Sequence, residues 1–535
     1  MTGFQLRTLK QLDDTEGTVR LHDARGRSHE FGDHDLVLFP PVSQDPNDPL
    51  RWPAWRKWVA FGSMCVLAFL SNAAVAGVYP AFVEISVEFA TPYAQVTELS
   101  SYLVLIIGCS NFVWVPLAVY YGKRPIFLVS SALLVASTAW AARATSFESL
   151  LAASALTGVA AGSTEAIGAA IVNDIYFLHQ RATKMSIGWR WVKGIISILS
   201  GVNFVMILFL VPESRFKRDL TQVEDVNAVQ PRESIIDGED PAEKESTLAN
   251  EFELAPIPTN SSTIPSKMSQ MQLLAFCSGV PKDMNLLELF LRPFPLIAYP
   301  AVLWATLAYA VALATSVMSS VVNPAVLQAP PYNFSSGTNG LINIPSLIGN
   351  LVGGFLGGWC TDWVADKWSI RNQGIFNPEV RLSMITIPLI LTTIGMALFG
   401  AGLEEKWSWP GLFVSFGLIS VTLTATSSIC MTYVLDAYYP AAAEALLLVN
   451  ALKNIIAFGF IYAVSPWVSK VGFKAVSSPF LPSQATHSNK VMAIMQALGE
   501  MAAIFFGITA LGYVLMAFGK PIRHYTSTKW RIILW

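Results

Sequence analysis

Runs of apolar residues long enough to cross a bilayer decide most of what this chain can become. They fall near 58–80, 99–120, 126–145, 149–173 and 191–211, and again near 295–317, 340–358, 382–402, 409–431, 444–466 and 500–518. About 20 apolar residues in a helix cross the hydrocarbon layer. No water is present there to bind backbone N–H and C=O groups, so each run has to close its hydrogen bonds within itself as an α-helix. The expected fold class is an all-α polytopic membrane protein with five spans in a first helix bundle and six in a second. Composition agrees, with 53% of the residues hydrophobic and 13% charged and a mean hydropathy of +0.47, far from the balance of a soluble domain.

The polar segments divide the chain further. Residues 1–57 read as a disordered cytoplasmic tail, 58–211 as the first bundle, 212–292 as a cytoplasmic linker, 293–523 as the second bundle and 524–535 as a C-terminal tail. The linker carries runs such as DGEDPAEKES, a composition that buries too little apolar surface to order itself. Before the first span, Trp52, Trp55 and Trp58 alternate with Arg51, Arg56 and Lys57, a collar suited to the headgroup layer. No cleavable signal is expected, because the residues before Trp58 are polar; the first span is read as its own insertion signal.

Orientation follows from Lys and Arg. The tight turn Tyr121-Gly122-Lys123-Arg124-Pro125 and the pair Arg181 and Lys184 place two first-half loops in the cytoplasm, and Lys367, Arg371, Arg381, Lys520 and Arg523 do the same for the second half. The sequon Asn333-Phe334-Ser335 then falls in an external loop, where a glycan is expected on Asn333. One conflict remains. Five spans starting inside leave the linker outside, whereas the six-span half requires it inside, and the charges locate the fault after Arg181.

Several function classes lose support. Cys65, Cys109, Cys277, Cys360 and Cys430 are scattered without close pairs, so no disulfide framework and no metal site is expected. No phosphate-binding loop, catalytic triad or ligand cluster appears, so neither an enzyme active site nor a cofactor is expected, and nothing favours nucleic acid as a partner. The partners expected are the lipid bilayer and a small-molecule substrate. The 16 Trp and 31 Phe mostly suit lipid-facing and interfacial positions, though stacked rings also suit flat, apolar or cationic cargo.

Ionisable and amide groups inside the spans are the candidate working residues. In the fourth run, Ser154, Gly158 and Gly162 recur at fours, the spacing of a close helix–helix seam, and Glu165 follows them on the same helix. A carboxylate at that depth is a candidate for carrying a proton between the two sides, or for bracing the helix by hydrogen bonding. In the second half, Glu444, Asn450, Lys453 and Asn454 recur at threes and fours along one helical face. A buried Lys453 needs a partner; Glu444 is too far along the helix, which leaves Asp436 or a residue from another helix. Asn111, Asn343 and Asn350 are candidates for the cavity lining or for helix-to-helix hydrogen bonds. Asn173, Asp174 and Arg181 read as a cap and cytoplasmic anchor.

Longer strings carry a resemblance that covers nearly the whole chain from Asp45 to Arg523. They are DPNDPLRWPAWRKW before the first span, NFVWVPLAVYYGKRPIFL (Asn111–Leu128), IVNDIYFLHQR (Ile171–Arg181), GWRW (Gly188–Trp191), VPESRF (Val211–Phe216), GGWCTDW (Gly357–Trp363), IRNQGIFNPEVRL (Ile370–Leu382), TYVLDAYYPAAAE (Thr432–Glu444) and GKPIR at the end. The chain resembles the fungal branch of the major facilitator superfamily that groups with twelve-span drug:proton antiporters. The resemblance implies the major facilitator fold, two six-helix bundles rocking about a central cavity, with protons as the coupling ion. It also implies that the loop after the second helix of each half helps close the cytoplasmic face. Here Gly122, Lys123 and Arg124 represent the first copy, and Gly358, Asp362, Arg371 and Asn372 the second. Asp436, beside Tyr433, and the cytoplasmic Asp174, Arg181 and Glu444 are candidates for the same gate.

Two departures stand out. The fourth helix of antiporter members resembles LxxxRxxxGxxxG, and this chain keeps Leu150, Gly158 and Gly162 but has Ser154 where the arginine belongs. Members also place a complete fifth helix between the basic exit loop and GWRW, whereas here Met185-Ser186-Ile187 alone separates Lys184 from Gly188. The resemblance therefore points to the same place as the charge parity. The function it implies is proton-coupled export of small organic or cationic compounds by a monomeric transporter of the plasma membrane. The alternatives are uptake of polyamines or other organic cations, a solute sensor, and a truncated product that does not work.

Overall fold

The computed structural model describes residues 19–20, 52–76, 79–175, 203, 206–207, 286–328, 332–335, 339–372, 375–405, 407–438, 441–471 and 488–526. The first half contributes α1 (Ala54–Ala76), the short α2 (Phe82–Glu88), α3 (Tyr93–Tyr121), α4 (Lys123–Ala141) and α5 (Phe147–Ile175). The second contributes the short α6 (Leu286–Leu291), α7 (Pro300–Leu327), α8 (Asn343–Phe355) running through a π-helical turn (Leu356–Cys360) into α9 (Thr361–Arg371), α10 (Thr386–Glu404) entered by a 3₁₀ segment (Pro378–Ile385), α11 (Trp409–Ala437), α12 (Ala442–Val471) and α13 (Ser488–Tyr525). Eight of the described helical segments are long and apolar enough to cross a membrane by length and composition. The architecture is the expected all-α bundle.

Small residues set the spacing between helices, because apolar contact with lipid offers no advantage over contact with another apolar helix and close backbone approach has to supply the adhesion. The seam at Gly158 and Gly162 lies against α3. A Cβ at Gly158 would stand 3.2 Å from both the Leu103 carbonyl oxygen and Ile106 Cγ2, and one at Gly162 would run into Ser110 Oγ. The counterpart in the second half is Gly349, Gly353 and Gly357 against α11, where a Cβ on Gly357 would stand 2.8 Å from the Ala425 carbonyl oxygen. Buried tryptophans tie further helices together: Trp114 Nε1 donates to the Val159 carbonyl (2.7 Å) and Trp304 Nε1 to the Ile508 carbonyl (2.8 Å).

Helix α3 carries contacts between the halves at three heights. Near its start Tyr93 Oη donates to the Val321 carbonyl of α7 (2.8 Å). At mid-height Gly108 admits α12 so closely that an added Cβ would stand 2.8 Å from the Ala451 carbonyl oxygen. Near its end the Phe112 ring stacks on Phe294 with centroids 5.2 Å apart. The seam of α3 and α12 is therefore the frame on which the central site sits.

Several boundaries differ from the sequence expectation. Helices α3, α5, α7, α11, α12 and α13 run 28 to 38 residues, longer than a bilayer needs. Helix α1 begins at Ala54, inside the segment expected to be a disordered tail. In that same segment Val19–Arg20 forms an antiparallel pair with Ile375–Phe376, in the register Val19 to Phe376. Helix α6 lies inside the expected linker and packs on α3. The rest of the tail, most of the linker, and the expected span 191–211 apart from residues 203, 206 and 207 lie outside the described residues.

Candidate functional site

Four of the polar residues that stood out inside the spans meet at one point between the halves. Helix α5 delivers Glu165 just past its small-residue seam, and α12 presents Asn450, Lys453 and Asn454 on one face because they are spaced at threes and fours. Lys453 Nζ lies 3.0 Å from Glu165 Oε2. Asn454 Nδ2 donates to the same oxygen (2.8 Å), and Asn450 Nδ2 donates to the Glu165 backbone carbonyl (3.3 Å). On its other side the Lys453 ammonium sits 4.0 Å from the centroid of the Tyr309 ring of α7. The Lys453 side chain is 1% exposed and that of Glu165 11%. The partner of the buried lysine thus comes from the other half of the molecule rather than from Asp436.

Magnitudes show that this pair adds little to stability as a whole and much in its parts. Unit charges 3.0 Å apart attract by about 5 kcal/mol at an effective dielectric of about 20. Withdrawing each ion from water costs several kcal/mol, so a buried pair comes out near break-even against apolar side chains. Breaking it by removing one charge is another matter, since the surviving ion is left buried without compensation. A proton added to Glu165 does chemically what such a substitution does genetically.

A second cluster lies at the end of the second half that bears the basic loops. Arg381, 2% exposed, donates from Nε to Asp436 Oδ2 (2.6 Å) and from Nη1 to Asp362 Oδ1 (2.7 Å), with Cζ 5.5 Å from the centre of the Phe376 ring. It joins α9, the 3₁₀ entry to α10 and α11. Beside it Arg523 of α13 grips Glu379, with Nη2 3.0 and 3.1 Å from the two carboxylate oxygens. Sequence reasoning named Arg371 as the gating arginine of this loop and read Arg381 only as a basic residue setting orientation. Arg371 is exposed at the last turn of α9, whereas the 3₁₀ segment points Arg381 inward between the two aspartates. Asn372 is exposed nearby and donates weakly to the Ile375 carbonyl (3.4 Å).

The remaining candidates are spread out. Tyr433 is buried edge-on to Trp304 (6.1 Å), and Glu444 approaches Arg292 at 3.7 Å. Gly122 takes φ 104° between α3 and α4, a conformation that excludes a side chain at little cost only for glycine, Lys123 opens α4, and Arg124 is buried within it. Asn111 is fully buried on α3, and among the described residues its amide has no hydrogen-bond partner. Asn343 opens α8, and Asn350 lies against α11, where its carbonyl accepts from Thr424 Oγ1 (3.3 Å). Asn333 is exposed with φ 49°. Asn173 and Asp174 lie on the last turn of α5, where only the backbone is described, and Arg181 falls outside the described residues. Sequence reasoning missed Tyr309, which nothing marks as a lysine's neighbour, and it read Arg381, Arg523 and Glu379 only as parts of a loop.

Comparison with known proteins gives a consistent result. The sequence profile described as Major Facilitator Superfamily matches residues 64–188 and 185–466, two segments that meet at 185–188. The chain is 25% identical to an uncharacterized MFS-type transporter of Schizosaccharomyces pombe, over 94% of this chain and 90% of that protein. It is 23% identical to Protein HOL1 of Saccharomyces cerevisiae, over 92% and 91%. It is 21% identical to Quinidine resistance protein 3 of the same yeast, over 87% and 84%.

Proposed function

The chain belongs to the major facilitator superfamily and is a multi-pass membrane transporter, and from that premise we propose that it exports small organic compounds, cations among them, in exchange for protons. The observation that carries the proposal is the Glu165–Lys453 contact at 3.0 Å between the halves. With Glu165 ionised the site is neutral and latched. A proton on Glu165 removes the charge that holds Lys453, weakens the Asn454 bond to the same oxygen, and leaves the site with the uncancelled charge of the ammonium. A cationic cargo and a proton therefore oppose each other there, which is the physical content of antiport. Relatives named for resistance and efflux favour the outward direction. Uptake of cations is the same cycle run in reverse. In this reading the protein works as a monomer in the plasma membrane.

The test is flux of a labelled organic cation in vesicles under an imposed pH gradient. Wild type is expected to show gradient-dependent flux with the sign of export, and Glu165→Gln to abolish it at unchanged membrane delivery. Flux that ignores the gradient removes the proton from the reading, and no flux at normal delivery favours a solute sensor.

A second reading has its own support. The family match divides at 185–188, where only Met185-Ser186-Ile187 separates Lys184 from Gly188 in the sequence, the place at which charge parity fails and the resemblance calls for a fifth span. On this reading the first bundle is short by one helix of about 20 residues, and the sequence is a shortened version of an intact transporter. Full-length transcript sequencing between the codons for Arg181 and Gly188 decides it. About 20 extra apolar codons support the reading, and direct joining refutes it.

A further inference from the structure

Outward from the central pair, on the side away from the Gly122–Arg124 turn, the α3–α12 seam carries an acid and three rings whose roles the latch does not explain. On α12, Asn450, Asn454, Phe458 and Tyr462 succeed one another at intervals of four and so line one face. The first two bind Glu165. One turn further the Phe458 ring stacks on Tyr102 of α3 (centroids 6.3 Å) and leans on Tyr462 (5.5 Å). Tyr462 is 46% exposed, which opens this end of the ladder. One turn before Tyr102 on the same face of α3 stands Glu98, partly buried and within electrostatic reach of the Tyr102 phenol. Among the described residues Glu98 has neither a hydrogen bond nor an ion pair.

Charge separates this corner from an ordinary aromatic packing cluster. The Glu165 carboxylate is cancelled by Lys453, so the latch presents no net charge to an approaching ion. Among the described residues no cation is paired with Glu98, and a partly buried carboxylate attracts a positive charge more strongly than one in bulk water does. Aromatic faces attract cations through their ring quadrupoles, and quaternary ammonium groups are the ligands best matched to rings combined with an anionic group. Lys453 and Phe458 are five residues apart, about 7 Å along the helix, so an ion in this corner would lie next to the latch without touching Glu165.

We propose that Glu98, Tyr102, Phe458 and Tyr462 form a binding site for an organic monocation, a quaternary or protonated amine with flat or apolar substituents, distinct from the Glu165–Lys453 latch. The site deepens the transport reading above, on which it rests, by giving its cationic cargo a station before or after the latch. Glu98 supplies the counter-charge, Tyr102 and Phe458 the faces, and Tyr462 the rim.

The experiment is equilibrium titration of the purified full chain in detergent with benzyltrimethylammonium, followed by calorimetry. Saturable binding is expected, with Kd rising tenfold or more in Glu98→Gln, rising several-fold in Tyr102→Leu, and partly restored in Glu98→Asp. Size-exclusion profiles report folding, and Tyr102→Leu decides the matter where Glu98→Gln does not fold. The proposal is overturned by absence of saturable binding to wild type, by an unchanged Kd in folded Glu98→Gln, or by binding lost only in Glu165→Gln, which would put the cation at the latch. Because the titration uses no gradient, failure of proton-driven flux leaves its outcome standing, and failure of binding leaves the latch tests standing.

Discussion

Replacing Lys453 by Met removes an ammonium that is 1% exposed and 3.0 Å from Glu165. The carboxylate would remain, with Asn454 as its only other side-chain donor among the described residues. Losing one member of a buried pair costs about 3–5 kcal/mol, and Glu165→Gln should cost a similar amount by stranding the lysine against Tyr309. The attraction lost is about 5 kcal/mol by Coulomb's law at an effective dielectric of about 20, and the desolvation recovered is of the same order. The double variant Glu165→Gln/Lys453→Met should therefore lie within about 1–2 kcal/mol of wild type, since replacing a buried pair whole is often neutral. The assay is a double-mutant cycle on unfolding of the purified protein in mixed detergent micelles. A coupling of about 2 kcal/mol or more is expected. Additivity within about 0.5 kcal/mol, the behaviour of sites that do not interact, would refute the claim that these two side chains hold the halves together.

Four further outcomes can be checked. Arg381→Lys, which cannot bridge Asp362 and Asp436 in two directions as the guanidinium does, is expected to lose about 3 kcal/mol or more in the same unfolding assay, while Arg371→Lys on the exposed end of α9 should lose almost nothing. Gly108→Leu is expected to force α3 from α12, since even a Cβ there stands 2.8 Å from the Ala451 carbonyl oxygen, and to abolish cross-linking of cysteines placed across that seam. Gly459→Ala on α12 meets nothing within 4 Å and should be stabilising by about 0.5–1 kcal/mol. Asn333→Gln should remove any shift in gel mobility that a glycosidase also removes, and a glycosidase-insensitive wild type would refute glycosylation there.

Eight of the eleven transmembrane runs reappear as membrane-length apolar helices among the described residues; they were legible because hydrophobicity over about 20 residues is a local property, and the all-α class follows from it without any knowledge of neighbours. The candidate residues at the latch were legible for a related reason, since Glu165 and Lys453 are ions in segments where ions are costly, and α-helical spacing put Asn450, Lys453 and Asn454 on one face. The meeting of Glu165 with Asn454 across 289 residues of sequence was not legible. It depends on how far each helix is rotated about its own axis and how closely Gly108 lets α3 approach α12, quantities set by all the contacts of both helices together. For the same reason the choice of Arg381 over Arg371 needed the tertiary structure, because both lie in one basic loop and only the turn at Pro378–Ile385 aims one of them at Asp362 and Asp436. Glu98 escaped the sequence reading as an acid near a helix start, where acids are ordinary. It acquires meaning only when α12 brings Phe458 and Tyr462 beside Tyr102. The sequence by itself thus determined what each helix is made of and that it must be a helix, while the tertiary structure alone decided which charges meet, since a pairwise energy falls off over a few ångströms and no local pattern encodes that distance.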